Sequence, residues 1–192
     1  MSNATDGARI SSLPVDPMFL DRWSPRSFGG GPLSQELVHT LFEASRWAPS
    51  ARNQQPWMFV YADSEPGLAR IRELLVEGNR LWAGKAPLLA ILFARVRNDQ
   101  GEENRWAPFD AGAAWMSLAI QARKLGLYSH AMGGFHDERA CAALDMDPAQ
   151  WKAMAAIAVG EKRELSALPA QLQEREKPSD RKMLSEVARR IG

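Results

Sequence analysis

Between residues 48 and 57 the chain runs Ala48-Pro49-Ser50-Ala51-Arg52-Asn53-Gln54-Gln55-Pro56-Trp57. Two prolines bracket small and amide residues, the composition of a joint between a helix and a strand. Upstream, Ser34 to Trp47 has helical spacing: Leu37, Val38, Leu41, Phe42 and Ser45 fall on one face. Ser34 can cap its start, and Leu33 and Val38 stand at staple positions. Pro49 ends that helix. Downstream, the aromatic and β-branched run Trp57 to Ala62 predicts a strand. In the joint itself, amide side chains can read the donor and acceptor edge of a heterocycle, and small residues let backbone approach a flat ring. An ordinary helix-to-strand loop uses the same residue types, and both readings stand at this point.

Further along, Pro66 to Glu77 predicts a second helix, with Leu68, Ile71, Leu74 and Leu75 on one face and Gly78 as its stop. Leu88 to Ala94 is a continuous apolar run, a strand buried on both faces. Residues 97–107 are polar and read as an exposed loop. Asp110 to Leu125 carries Ala111, Ala114, Trp115, Leu118, Ala119, Ala122 and Leu125 on one helical stripe, and Gly126 closes it. Leu127 to Met132 predicts a short strand broken by Gly133-Gly134. Glu138 to Leu144 predicts a short helix, Pro148 opens a further turn, and Ala153 to Val159 predicts a strand. From Glu161 the composition turns charged and polar, as in an arm that packs on another surface such as a second subunit. Leu184 to Arg190 can form a last helix. Strands alternate with helices, so the class is mixed α/β, with strand order left open. Residues 1–17 read as a polar, flexible tail, and 18–192 as one domain.

Composition agrees. The chain has 192 residues, 45% hydrophobic and 24% charged, which fits one folded domain rather than disorder. Lys+Arg 24 against Asp+Glu 23 gives a net charge of +1, which removes the electrostatic case for a nucleic-acid binder or an anionic-membrane protein. Cys141, the one cysteine, forms no intrachain disulfide and fits a reducing compartment. The longest apolar run, Pro87 to Ala94, is strand-sized, and residues 1–14 have no signal-peptide core, so the expected address is the cytoplasm. Seven tryptophans serve either core packing or an aromatic ligand site or subunit interface.

The motifs GxxxxGK[ST], GxSxG, HExxH and CxxC are absent, which leaves those four mechanisms without support. His39 reads as a polar-face residue, and His130 and His136 lack a third metal ligand. Arg22-Trp23-Ser24-Pro25-Arg26-Ser27-Phe28 sets two guanidiniums four positions apart with a hydroxyl between, a set that suits a phosphate. A solvated basic turn is the alternative. Met132-Gly133-Gly134-Phe135 allows positive φ and close approach of backbone N–H to a ligand, or a plain tight turn. Arg181-Lys182-Met183-Leu184 is a fourth basic element or a charged tail.

Together these segments resemble the FMN-dependent nitroreductase family. Its opening R-x-S-x-R-x-F is matched by Arg22, Ser24, Arg26 and Phe28, and its A-P-S-x-x-N-x-Q-P-W loop by Ala48, Pro49, Ser50, Asn53, Gln55, Pro56 and Trp57. Asp110 to Ala114 matches D-x-G-A-A, Leu125 to Leu127 matches L-G-L, and Ile157 to Gly160 a late I-x-x-G strand. The tail Arg181 to Val187 follows an R-K-P-L-S-E-V pattern. Ala131 stands where the family has proline before Gly-Gly, and Met183 replaces the tail proline. The region between Ala94 and Pro108, which in the family often carries substrate-contacting helices, is brief and polar.

The resemblance implies an α+β nitroreductase-like fold with a central, mostly antiparallel sheet flanked by helices. It implies an intertwined homodimer that exchanges C-terminal arms, here about 162–192. Arg22, Ser24, Arg26 and Arg181 would hold the FMN phosphate. Pro49, Ser50 and Asn53 would contact the isoalloxazine or ribityl chain, and Gly133 and Gly134 would lie by its pyrimidine and N5 edge. NADH or NADPH would deliver a hydride to N5, and a nitroaromatic, quinone or similar acceptor would then collect it in a ping-pong cycle. Lys85 is a candidate for charge near N1 and O2, and Trp82 and Trp106 for the acceptor pocket. The alternatives are a family branch with different flavin chemistry and a non-catalytic flavin-binding or sensing protein.

Overall fold

The computed structural model describes residues 9–192, so residues 1–8 of the tail expected over 1–17 lie outside the described residues. In chain order the elements are α1 (Pro17–Asp21), β1 (Phe28–Gly29), α2 (Gln35–Arg46), β2 (Trp57–Ala62), α3 (Gly67–Arg72), α4 (Glu77–Ala83), β3 (Leu88–Arg95), α5 (Ala107–Lys124), β4 (Tyr128–Met132), α6 (Asp137–Ala143), β5 (Trp151–Lys162), α7 (Ala170–Gln173) and α8 (Leu184–Val187). β2, β3 and β5 lie side by side, and β4 and β1 both pair with β5; every pairing is antiparallel. The fold is α+β, an antiparallel sheet flanked by helices.

The apolar run of β3 explains the layering. Successive side chains of a strand point to opposite faces. Leu89, Ile91 and Phe93 enter one core with Leu68, Ile71 and Leu74. Leu88, Ala90 and Leu92 enter the other with Val38, Leu41 and Leu118 of α2 and α5. β5 divides likewise, Ala156 and Ala158 to the first core and Ile157 and Val159 to the second. A bulge at Leu92/Phe93 leaves Met154 as the extra residue of β5. Both faces of the central strands are thus dry although the sheet is antiparallel, because helices cover both. Each large side chain so buried contributes roughly 1.5–3 kcal/mol of transfer free energy.

Three local expectations need correction. The helix expected over Pro66–Glu77 is two helices, α3 and α4, and Gly78 lies inside α4 rather than ending the first. The chain bends between them because Leu75 bridges to Phe135 and the Val76 N–H donates to the Gly134 carbonyl (3.2 Å). α5 begins at Ala107, three residues before Asp110, with Pro108 in its first turn, where a missing N–H costs nothing. The last helix is a single turn, Leu184–Val187, not a run to Arg190.

Candidate functional site

The segment 22–27 enters β1, and its conformation is fixed from two sides. From the C-terminal arm, the Glu176 carboxylate accepts the Arg26 N–H (2.8 Å to the nearer oxygen), the Ser27 N–H (2.9 Å) and the Ser27 hydroxyl (2.6 Å). From β4, His130 Nδ1 lies 2.8 Å from the Pro25 carbonyl. A carbonyl only accepts, so Nδ1 carries the proton and Nε2 is bare in the neutral ring. Burial pushes the His130 pKa down, opposed by the Pro25 carbonyl; Arg26 lowers it further and Glu176 raises it. The imidazole lies 4.6 Å from the Trp82 ring, itself packed on Phe28.

Three guanidiniums gather beside this segment. Arg22 and Arg181 repel each other, and Arg9 adds a third charge facing both. Burial first, then this mutual repulsion, holds Arg22 and Arg9 below the ordinary arginine pKa. None of the three forms an ion pair among the described residues. Arg22 Nε is buried with no hydrogen-bond partner. Such a group costs free energy unless an anion completes it. Arg9 donates to the Arg22 carbonyl (2.9 Å) and the Ser179 carbonyl (3.0 Å), so it ties both arginine segments together. Read as tail, Arg9 carries no local pattern that would have revealed it. Arg26 points elsewhere, toward Arg175 and Glu176 and 5.9 Å from the Trp82 ring; burial, then Arg175, lowers its pKa. Ser24 is half-buried beside it, close to His130.

Gly133 and Gly134 follow β4 at the opposite end from the segment 22–27. Neither has positive φ, contrary to the expectation for a Gly-Gly step. The reason for Gly134 is space: a Cβ there would sit 2.4 Å from Asn79 Nδ2, which donates to the Gly134 carbonyl (2.9 Å). A Cβ on Gly133 would meet nothing, so that side is open. Neither glycine N–H has a hydrogen-bond partner among the described residues. Both donors are available to a ligand edge. Lys85 donates to the Ala167 carbonyl (2.9 Å), and Trp82 is buried under Arg26 and His130 rather than lining a pocket.

The joint 48–57 lies apart from these groups. It is a 3-10 turn, Ala51–Asn53, with Arg52 (φ 53°), Asn53 (φ 56°) and Gln55 (φ 47°) all left-handed. Non-glycine residues hold that conformation only where surroundings impose it. Here the buried Asp110 of α5 accepts the Ala51 N–H (3.1 Å), and Ser50 Oγ accepts the Gln55 N–H (2.9 Å). Asn53 accepts from the Gln55 amide through both its carbonyl and its side chain (3.2 Å each). The far side of the joint lines a cavity of 620 Å³, with Trp57, Trp106 and Trp151 in its walls and none of Arg22, Arg26, Gly133 or Arg181.

Within one chain, then, the arginine cluster and the glycine donors are connected through β4, while Pro49, Ser50 and Asn53 stand elsewhere on the surface. Comparison with known proteins gives this arrangement a lineage. A crystal structure of an oxidoreductase containing FMN superposes with a TM-score of 0.90 at 45% identity, over 98% of this chain and 96% of that one. A nitroreductase-type protein of Exiguobacterium sibiricum, solved with FMN, has TM-score 0.76 over 95% of this chain and all of its own; its 18% identity speaks for the fold alone. A Xanthomonas oryzae pv. oryzae protein provisionally named NADH dehydrogenase/NAD(P)H nitroreductase is 26% identical over 157 residues, 70% of this chain and 78% of its own length. The nitroreductase family profile matches residues 20–81 and 75–161, which takes in the arginine segment, the left-handed joint, the glycine step and the whole sheet through Glu161. By that match, and with the sheet and joint just described, the chain belongs to the nitroreductase family.

Proposed function

We propose that the protein is an FMN-dependent oxidoreductase that uses NADH or NADPH to reduce nitroaromatic, quinone or similar electrophilic acceptors, acting as a homodimer. The observation that carries this reading is the arginine cluster: Arg9, Arg22 and Arg181 face one another without an ion pair, and Arg22 Nε is orphaned. A phosphate monoester supplies the missing charge and acceptors. The 45%-identical FMN-containing oxidoreductase supports the choice of flavin over other phosphates.

Arg22 and Arg181 would hold the phosphate, with Ser24 as neutral donor and Arg26 at its flank. Gly133 and Gly134 would direct their free N–H groups at the flavin ring edge, and a backbone donor preorganised in this way stabilises charge that develops there. When bound at these residues, the flavin would supply the redox chemistry, hydride transfer from nicotinamide to acceptor. No histidine or cysteine is needed for it. The Cys141 thiol is buried, and burial, then Asp147, pushes its pKa up.

The place of the joint supports the homodimer: the cavity that the joint lines contains none of Arg22, Gly133 or Arg181, and a second copy would bring its own joint over the flavin. Exposed apolar side chains fit such a partner: Phe109 at the start of α5 is 75% exposed and Met183 on the arm 71%. Residues 181–192 are exposed throughout, as an arm meant for another subunit would be. No helix among the described residues is long and apolar enough to cross a membrane.

The test is the double variant Arg22→Ala with Arg181→Ala. Two lost charge-assisted bonds of roughly 1.5–3 kcal/mol each weaken FMN by about 100-fold or more in a fluorescence titration. Unchanged affinity refutes the phosphate assignment. In the wild type, NADH or NADPH added without oxygen bleaches the flavin band if the reductive half-reaction is as proposed.

A further inference from the structure

The 620 Å³ cavity beside the joint is of the size that holds a small organic ligand. Three tryptophans from different elements wall it: Trp57 at the start of β2, Trp151 at the start of β5 and Trp106 before α5. Two of them carry an arginine. The Arg105 guanidinium lies 4.6 Å from the Trp106 ring centroid, and that of Arg95 lies 6.0 Å from Trp151. Arg95 is engaged by Asp99 and Gln150, yet its Nε is buried and unpartnered. Arg52 and Arg105 form no ion pair among the described residues. The left-handed backbone of Arg52 is imposed by its surroundings and sets its side chain at the cavity wall. The acidic residues of the lining, Glu102 and Glu103, number two against four arginines, and Glu102 is held by Asn98 (2.8 Å).

We propose that this cavity binds a planar aromatic anion, the ring against the tryptophans and the anionic group between Arg52 and Arg105, and that it is where the electron acceptor is recognised. Indole faces accept flat rings without regard to their substituents, whereas the guanidinium forks select a carboxylate or similar group. The assignment of the occupant as acceptor rests on the flavin reading: Ala51, Gln54 and Gln55 line the cavity from the same joint whose Pro49, Ser50 and Asn53 would touch the flavin. The assignment of the cavity as a binding site for an aromatic anion does not. An aromatic anion could also come from the electron donor, as its adenosine phosphate, and the assay separates the two.

Calorimetric titration of the FMN-loaded protein with 2-naphthoate and with uncharged 2-naphthamide reads the charge preference. The acid is expected to bind roughly tenfold tighter, the scale of one charge-assisted hydrogen bond. Arg52→Gly removes the guanidinium and keeps a residue at ease with positive φ; Arg105→Gln removes the second. Each lowers the preference, and the double variant abolishes it. Trp106→Ala weakens acid and amide alike. In turnover, the double variant loses the preference for 4-nitrobenzoate over 4-nitrobenzamide in kcat/KM. Equal binding of acid and amide by the wild type, or a preference that survives in the double variant, overturns the proposal. Adenosine 2′-monophosphate binding with the same arginine dependence, when naphthoate does not bind, overturns the acceptor assignment in favour of the donor. Flavin titration of the flavin-free protein, with the naphthoate titration repeated on it, keeps the two readings apart: naphthoate binding as expected with no FMN binding sinks the flavin reading and the acceptor assignment with it, and leaves the aromatic-anion site standing.

Discussion

Glu176 offers the sharpest test of how the arginine segment is held. Its carboxylate accepts three donors from residues 26 and 27, and Ser27 is 1% exposed, so little water stands ready to replace it. Glu176→Ala removes the acceptor of all three hydrogen bonds at once. Hydrogen bonds to a charged group contribute roughly 1.5–3 kcal/mol each. They share one acceptor and are not additive, and Arg26 is only half-buried, so a total of about 3 kcal/mol is the reasonable figure. That corresponds to about a 100-fold change in the local opening equilibrium. Amide hydrogen exchange, resolved at Arg26 and Ser27, reads it directly, since these N–H groups are the donors. Both are expected to exchange about 100-fold faster, with a smaller gain in Glu176→Gln, which keeps one acceptor oxygen. FMN binding weakens in parallel, because Arg181 follows Glu176 on the same arm. Unchanged exchange at the two amides refutes the reasoning, whatever happens to flavin affinity.

Other expectations follow from single contacts. Gly134→Ala places a Cβ 2.4 Å from Asn79 Nδ2, and overpacking of this kind costs about 1–3 kcal/mol in urea denaturation; adding Asn79→Ala to it recovers part of that loss. Ser34→Ala removes the oxygen that accepts the Leu37 N–H at 3.2 Å and should cost about 1 kcal/mol by the same assay. The half-buried His130 has a depressed pKa, so the unfolded chain binds its proton more readily than the folded one. Its contribution is fully present above the unfolded value near 6.5 and is lost as pH falls below that toward the depressed folded value. Tm should therefore fall on acidification from pH about 6.5, and less steeply in His130→Gln; equal slopes refute it.

Sequence patterns reached some parts of this molecule and not others for physical reasons. β3 was legible because its side chains meet dry layers on both sides, from which an unbroken apolar run follows; β2, at the sheet edge with Met58 and Tyr61 exposed, was legible through its aromatic and β-branched content. The arginine segment, the joint and the glycine step stood out through their residue types, and their part in flavin binding is the proposal made above. The break between α3 and α4 was hidden because Leu74 and Leu75 continue a helical stripe; only the partners Phe135 and Gly134, far along the chain, turn the backbone aside. β1 is two residues long and exists only by pairing with Glu161 and Lys162. Strand order depended on such distant pairings as well. Among site residues, Arg9 sits in a polar stretch without period, and Glu176 in an arm that reads as solvated charge. Their roles come from long-range hydrogen bonds that leave no local signature.

The staple between residues 26–27 and Glu176 spans about 150 positions of sequence. During synthesis the segment with Arg22 leaves the ribosome long before Glu176 and Arg181 exist. A nascent chain can therefore fold its sheet and both cores while holding only half of the proposed anion site. On that proposal, flavin capture becomes a late event that reports on the arrival of the arm. A chain cut short after Gln173 would keep β5 and both cores, Leu168 and Leu172 included, yet lack Glu176 and Arg181. On the proposed phosphate assignment it would be a folded protein without colour.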